Sequence, residues 1–256
     1  MAASEVPESP VAAGLRLAVG TLTVCPAGVP RVDRTTAGWA MTLAPLVGLA
    51  LGLVAAAVMA AAAFLVSPLL AAALALGSLA VLTRGLHLDG LADLADGLGS
   101  GKPAEQALDI MKRSDIGPFG VVTLVFTLLV QATAASEAGP ASLVLACVTG
   151  RLALTWACVA GVPSARPGGL GAMVAGTVRP STAIIATVPV AAGALVLGLA
   201  AGGPVTYPLA LAAGLGAAWA TRVHATRRLG GITGDVLGAL AEIATATALV
   251  VCAAAP

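Results

Sequence analysis

The sequence predicts an all-α membrane protein built as a polytopic helix bundle. Of its 256 residues, 59% are hydrophobic and only 10% are charged, and the mean hydropathy is +1.00. Several uncharged runs reach the roughly 20 residues that a helix needs to cross a bilayer. Because aromatic residues make up only 3%, the helices should pack through small residues such as Gly48 and Gly52. We expect a single domain over residues 1–256.

Uncharged runs and helix-breaking residues predict seven membrane spans, with the Ser67-Pro68 break between the first two. They lie near residues 37–66, 69–86, 118–136, 140–162, 180–201, 205–222 and 235–255. A shorter apolar run over residues 10–24 contains Arg16, so an interfacial or re-entrant helix is expected there. Residues 103–114 are expected to form a short amphipathic helix that Pro103 opens and that has its basic residues in the last turn.

Basic residues alternate between the connections, and this alternation orients the chain. They occur in the amino-terminal segment, which includes Arg31, in the segment 84–117, and at 166–179 and 222–228, whereas the intervening connections have none. The positive-inside rule then predicts a cytoplasmic amino terminus, an external carboxyl terminus and cytoplasmic chemistry. A net charge of +1 without a basic, aromatic-rich face argues against nucleic acid as a partner. The four cysteines have no ligand spacing and are expected to be packing residues.

Three carboxylates form the most informative pattern in the chain. On a helix, Asp89, Asp93 and Asp96 fall within about 60° of one another and line one stripe. Carboxylates this close repel unless a cation neutralises them, and oxygen-only ligands suit Mg²⁺, Mn²⁺ or Ca²⁺. The alternative is a solvated acidic helix face.

Other charged residues lie deeper in the predicted spans. Arg151 should face the bundle interior, because an arginine in hydrocarbon needs a partner or water; it either pairs with a carboxylate or contacts phosphate. Glu242 lies seven residues beyond Asp235 on the same helix face. These two acids either complete the metal site or pair with Arg151.

Two glycine-rich connections carry arginines. In residues 227–235, Thr233 could cap the last helix, and exposed backbone amides could bind an anion. In residues 163–171, Arg166 either contacts an anion or extends to the membrane interface. Plain interhelical loops would explain the glycines equally well. His87 and His224 are isolated, and such histidines are more often interfacial than catalytic.

A cation-binding carboxylate cluster with arginines and glycine-rich turns is suited to transferring a phosphate-linked group at a membrane surface. The alternatives are a CDP-alcohol phosphotransferase-like enzyme, an ion-coupled transporter and a scaffold for other enzymes. A transporter should place its binding residues near the bilayer midplane, whereas these acids cluster at one edge.

Residues 87–97, 110–117 and 229–242 resemble the cobalamin synthase family of adenosylcobinamide-GDP ribazoletransferases. The resemblance spans nearly the whole chain. It implies a Mg²⁺-dependent multi-pass enzyme of the bacterial inner membrane. Such an enzyme joins adenosylcobinamide-GDP to α-ribazole or its 5′-phosphate and releases GMP, in cobalamin nucleotide-loop assembly. It also implies the lipid bilayer as a partner, with a possible homo-oligomer or association with other cobalamin-assembly enzymes.

The resemblance assigns roles to individual residues. The implied Mg²⁺ ligands are Asp89, Asp93 and Asp96, and the catalytic residues are these three with Asp235 and Glu242. The implied substrate-binding residues are Arg84, His87, Lys112, Asp115, Arg151, Arg166, Arg228, Gly231 and Thr233. Two departures from the family pattern occur. Arg113-Ser114-Asp115 reverses an expected Asp-Ser-Arg, and Thr245 replaces an expected acid.

Overall fold

The chain folds into α-helices, as the sequence predicts. The computed structural model describes residues 9–28 and 32–254, so the expectations for the first eight residues and for Arg31 lie outside it. Within the described residues there is no strand, only two isolated backbone bridges. The helices are α1 Pro10–Leu22, α2 Arg34–Ala62, α3 Pro68–Leu82, α4 Leu86–Gly99, α5 Ala104–Ile110, α6 Pro118–Ala138, α7 Pro140–Ala157, α8 Gly169–Val174, α9 Pro180–Ala200, α10 Thr206–Leu229 and α11 Gly234–Ala254.

Each of the seven predicted spans contains a helix, but the count of seven spans is not confirmed. Among the described residues, α2, α6, α7, α9 and α11 are long and apolar enough to cross a membrane. Helices α3 and α4 pass that test only together, and they are bent by 90°. The bend follows from left-handed backbone at Arg84 (φ 55°) and Gly85 (φ 66°). Helix α10 has the length, but its composition is less apolar and its last turn is basic.

Small residues let the central helices approach closely, as the aromatic-poor composition predicts. Helices α2 and α7 make the most extensive helix pair. A Cβ atom on Gly48 would lie 2.6 Å from the Cys147 carbonyl oxygen, and one on Gly52 would lie 2.8 Å from Val144 Cα. Only hydrogen at these two positions allows the observed spacing.

One end of the bundle gathers most of the charged connections. The Arg34 guanidinium at the start of α2 donates to the carbonyls of Ala172 and Ala175 in and after α8. The Arg228 guanidinium at the end of α10 donates to the Lys102 carbonyl before α5. These bonds join connections that the charge pattern assigns to one side of the membrane, and which side that is stays a prediction.

The predicted surface helix over 103–114 is shorter than expected. Helix α5 ends at Ile110, and Lys112 and Arg113 follow it in turns whose backbone amides donate to Asp109 and Ile110. The prediction that the basic residues occupy its last turn is therefore wrong. The chain has to turn there to bring the start of α6 back to α4.

Candidate active site

A cavity of about 260 Å³ opens at the charged end of the bundle. It is enclosed by the starts of α4 and α11 and by the two glycine-rich connections. We call it the carboxylate pocket. Its lining includes His87, Asp89, Ser164, Arg166, Thr233 and Asp235 and the glycine-rich residues 168–171.

The two glycine-rich connections, about 65 residues apart in the sequence, pair with each other in the fold. The Ile232 amide donates to the Pro163 carbonyl at 2.9 Å, and the Ala165 amide donates to the Ile232 carbonyl at 3.0 Å. A Cβ atom at Gly231 would collide with the backbone of Ser164 and Ala165. The close pairing therefore requires glycine there, and it brings Arg166 and Thr233 to the same pocket.

Thr233 caps α11, as the sequence predicts. Its hydroxyl accepts a hydrogen bond from the Val236 amide at 3.1 Å and donates to an Asp235 carboxylate oxygen at 3.2 Å. The cap therefore also holds the Asp235 side chain at the pocket.

Close packing of α4 on α11 brings acids from two distant motifs together. A Cβ atom on Gly90 would lie 2.7 Å from the Asp235 carbonyl oxygen, and one on Gly238 would lie 3.2 Å from His87 Cα. Asp89 and Asp235 line the pocket from facing helices. The sequence presented them as separate candidates, and helix packing makes them neighbours.

Asp93, one turn beyond Asp89, experiences the combined charge of this region. Helix α4 bends by 90° from α3 and is not one of the five helices long and apolar enough to cross a membrane, so we place Asp93 outside those spans. Partial burial, followed by the negative charges of Asp89, Asp235 and Asp96, raises the pKa of Asp93 to about 7, and Arg166 opposes this shift. The carboxylates are crowded enough to repel, so a cation would stabilise them.

Asp96 has a different environment from the rest of the predicted stripe. It is 8% exposed, and its two carboxylate oxygens accept from the amides of Gly117 at 2.7 Å and Gly120 at 2.9 Å. These amides belong to the amino-terminal end of α6, where the helix dipole favours a negative charge. Asp96 therefore ties α4 to α6.

The described residues contain no group of three or more Asp, Glu, His or Cys side chains with the spacing of a metal site. The donor set nevertheless suits Mg²⁺, because this ion commonly takes one or two carboxylates and completes its shell with water and substrate phosphate. Asp89 and Asp235 supply such oxygens at the pocket, and Asp93, which does not line it, lies close enough to feel the charge of both. Magnesium binding stays a prediction.

Several predicted substrate-binding residues do not line the pocket, although Arg84 contacts Thr21, which does. The Arg84 guanidinium donates to the carbonyls of Gly20 and Thr21 at the end of α1. Lys112 and Asp115 are exposed between α5 and α6 and do not line the pocket. Arg228 is exposed and donates to the Lys102 carbonyl.

Arg151 and Glu242 line a separate internal cavity of about 30 Å³. Arg151 is 3% exposed, which confirms that it faces the interior. A Glu242 carboxylate oxygen accepts from the Gln131 side-chain amide at 2.8 Å. Thr245 also lines this cavity, and its hydroxyl donates to the Ala146 carbonyl at 3.3 Å.

Sequence reasoning missed Gln131 and Ser164. Gln131 is an amide within the apolar α6, and a lone polar group of that kind indicates a buried partner. Ser164 lines the carboxylate pocket, and its hydroxyl donates to the Arg166 carbonyl at 2.7 Å. No local pattern distinguishes this serine from an ordinary loop residue.

The fold and the site together define a multi-span membrane protein with an acidic pocket, an arginine and paired glycine-rich loops at one end of its bundle. Comparison with known families makes this class specific. The chain belongs to the cobalamin-5-phosphate synthase family, whose model matches residues 14–253.

Individual relatives agree with this assignment. The chain is 44% identical to an adenosylcobinamide-GDP ribazoletransferase of Frankia casuarinae, over 93% of each chain. It is 42% identical to one from a Nocardioides species, over 93% of this chain and 97% of the relative. It is 41% identical to one from Stutzerimonas stutzeri, over 92% and 96%. No solved structure matches.

Proposed function

We propose that this chain is a transferase that joins adenosylcobinamide-GDP to α-ribazole or α-ribazole 5′-phosphate and releases GMP. The observation that carries the proposal is the carboxylate pocket, in which two family motifs far apart in the chain meet. Asp89 belongs to the first motif and Asp235 to the last. The family membership supports the substrate assignment.

The size of the pocket indicates which part of the substrate enters it. Sites that enclose whole drug-sized ligands usually measure about 300–1,000 Å³, and the pocket measures about 260 Å³. It is large enough for a diphosphate and part of a nucleoside, and too small for a corrinoid. The corrinoid therefore lies outside the pocket.

The chemistry is a displacement at phosphorus. The ribazole hydroxyl oxygen forms a bond to the phosphorus next to cobinamide, and the bond from that phosphorus to the oxygen of the GMP phosphate breaks. A carboxylate that lines the pocket, Asp89 or Asp235, accepts the hydroxyl proton. Arg166 contacts phosphate oxygens, since a guanidinium matches their geometry.

Mg²⁺ is the proposed cofactor, with Asp89, Asp93 and Asp235 as the residues that would hold it. When bound, it would offset negative charge on the diphosphate. This set replaces Asp96 in the predicted ligand set by Asp235, because both oxygens of Asp96 already accept backbone amides.

We place the protein in the bacterial inner membrane, with the amino terminus and the pocket on the cytoplasmic side. The basic connections near the pocket support this orientation through the positive-inside rule. The external carboxyl terminus follows if α3 and α10 both cross the membrane.

The direct test is GMP release by purified protein in detergent, with adenosylcobinamide-GDP, Mg²⁺ and either α-ribazole or its 5′-phosphate. We expect GMP in equal amount to the joined corrinoid product. A reaction without the ribazole acceptor separates transfer from hydrolysis of the diphosphate. Absence of the joined product with both acceptors would reject the proposal.

A further inference from the structure

His87 and Arg151 lie at the boundary between the two cavities. His87 lines the carboxylate pocket, and Arg151 lines the internal cavity with Gln131 and Glu242. Each of the pair is 3% exposed. Arg151 Nη2 lies 3.4 Å from His87 Nδ1, which is a long hydrogen bond.

This contact determines which ring nitrogen of His87 carries the proton. A guanidinium has only N–H donors and no acceptor. Nδ1 of His87 must therefore present its lone pair to Arg151. A neutral imidazole with an unprotonated Nδ1 carries its hydrogen on Nε2.

The Nε2–H of His87 is then a donor with no acceptor. Among the described residues it is one of three buried side-chain nitrogen or oxygen atoms without a hydrogen-bond partner, and the others are Nε of Arg151 and Nε of Arg166. A buried donor left unsatisfied costs about 1–3 kcal/mol. Because Nδ1 faces Arg151, Nε2 lies on the other edge of a ring that borders the carboxylate pocket.

We infer that His87 donates its Nε2–H to a phosphoryl oxygen bound in the carboxylate pocket, and that Arg151 is a positioning residue that acts through His87. The phosphoryl ligand rests on the proposed function. Arg151 does not line the pocket, so its influence on the substrate passes through the imidazole. Arg166 also lines the pocket; its Nη2 donates to the Leu108 carbonyl and its Nε has no partner among the described residues, so a charged donor borders the same pocket.

Helix packing holds the imidazole in place. Gly238 on α11 admits the α4 backbone, since a Cβ atom there would lie 3.2 Å from both Cα and the carbonyl oxygen of His87. A ring held by its backbone packing and by the contact at Nδ1 has few alternative orientations beside the pocket. Holding a catalytic group in one orientation before the substrate binds lowers the entropic part of the activation barrier.

The tautomer can be observed directly, because the chain contains only two histidines. Protein labelled with ¹⁵N-histidine and carrying His224→Gln leaves His87 as the only imidazole, and His224 is exposed on α10 away from the pocket. We expect one neutral tautomer with the proton on Nε2. Arg151→Lys, which keeps a donor, should retain this tautomer, and Arg151→Met should give a mixture. A proton on Nδ1 in the otherwise native protein would overturn the inference.

Inorganic pyrophosphate tests the phosphate contact without catalysis. In the presence of Mg²⁺ it should shift the His87 Nε2–H resonance, and in protein with both histidines it should leave the His224 resonance unchanged. His87→Gln, whose amide can place an N–H near the Nε2 position, should keep GMP release within about 10-fold. His87→Ala should lose about 100-fold, as removal of one preorganised donor does.

The two proposals fail in different ways. If the native protein makes no joined product but pyrophosphate shifts the His87 resonance, the proposed function is wrong and the phosphate contact stands. If native protein is active, the resonance does not respond and His87→Ala keeps full GMP release, the inference is wrong and the function stands.

Discussion

Two carboxylates on the same face of α4 have opposite environments. Asp89 is exposed and borders a cavity, whereas Asp96 is buried and both its oxygens accept backbone amides. The residue type and the helical stripe are the same, so neither distinguishes a reactive group from a structural one. The difference shows that hydrogen-bond satisfaction by neighbouring helices decides the role.

The largest effect should come from removing divalent cations, if the open carboxylates at the pocket hold Mg²⁺ against the substrate. Chelation by EDTA should reduce GMP release to the level without enzyme, and added Mg²⁺ should restore it. A metal contribution of several kcal/mol corresponds to a loss of at least about 100-fold. Full activity in excess chelator would remove the metal from the proposal.

Neutralising Asp89 and Asp93, the two carboxylates of the stripe that are not bonded to α6, should abolish most of the activity of a folded protein. The double variant Asp89→Asn/Asp93→Asn should lose at least about 100-fold in GMP release, because both negative charges next to the diphosphate site are gone. The matched control is Asp109→Asn, an exposed acid on α5 that does not line the pocket. Equal GMP release by the double variant and the control would contradict a role of Asp89 and Asp93 in the reaction.

Separating α4 from α11 should displace Asp89 and Asp235, the two acids that line the pocket from facing helices. Gly90→Ala places a methyl group 2.7 Å from the Asp235 carbonyl oxygen. Overpacking of this kind costs about 1–3 kcal/mol, and the displaced acids should lower GMP release by about 10-fold or more. Gly77→Ala on α3 is the control, because nothing lies within 4 Å of its added methyl group. Unchanged thermal unfolding and activity in Gly90→Ala would show that the contact is tolerant.

Asp96→Asn should reduce stability more than chemistry. The carboxylate accepts from two amides, whereas an asparagine side chain offers one oxygen and turns its own N–H groups toward the other donor. We expect a loss of about 2 kcal/mol in unfolding free energy, with activity per folded molecule within about 10-fold. If Asp96→Asn kept its stability but lost its activity, the original prediction that Asp96 is a metal ligand would be favoured.

The smallest effect should come from Arg84, which the family resemblance assigns to substrate binding. Arg84→Gln removes exposed hydrogen bonds to two α1 carbonyls. Unfolding free energy should change by about 0.5 kcal/mol or less, as for most surface substitutions, and GMP release by less than about twofold. A 10-fold loss of GMP release would place Arg84 at the substrate after all.

Local features of this fold were predictable because they depend on neighbours in the chain. The break before α3 follows from Ser67 and Pro68, and the cap of α11 from Thr233. The close contact at Gly48 and Gly52 follows from small residues one helical turn apart. The interior orientation of Arg151 follows from the cost of an arginine in hydrocarbon.

Other features depend on segments that are distant in sequence. The right-angle bend between α3 and α4 uses left-handed backbone at Arg84, which an arginine adopts only rarely. The pairing of residues 163–165 with residues 231–232 uses backbone amides, which every loop possesses. No pattern of residue types in the sequence predicts this bend or this pairing.

The sequence by itself determined the helical class, the approximate position of each helix, the charged end of the bundle and the family. These follow from hydropathy, capping and motifs, which act over one or two helical turns. Only the tertiary structure decided that Asp235 lies beside Asp89 at the pocket, that Asp96 accepts hydrogen bonds from the start of α6 and that Arg151 faces His87. Such partners are selected by the packing of α4, α6, α7 and α11, and packing depends on shapes that meet only after the chain has folded.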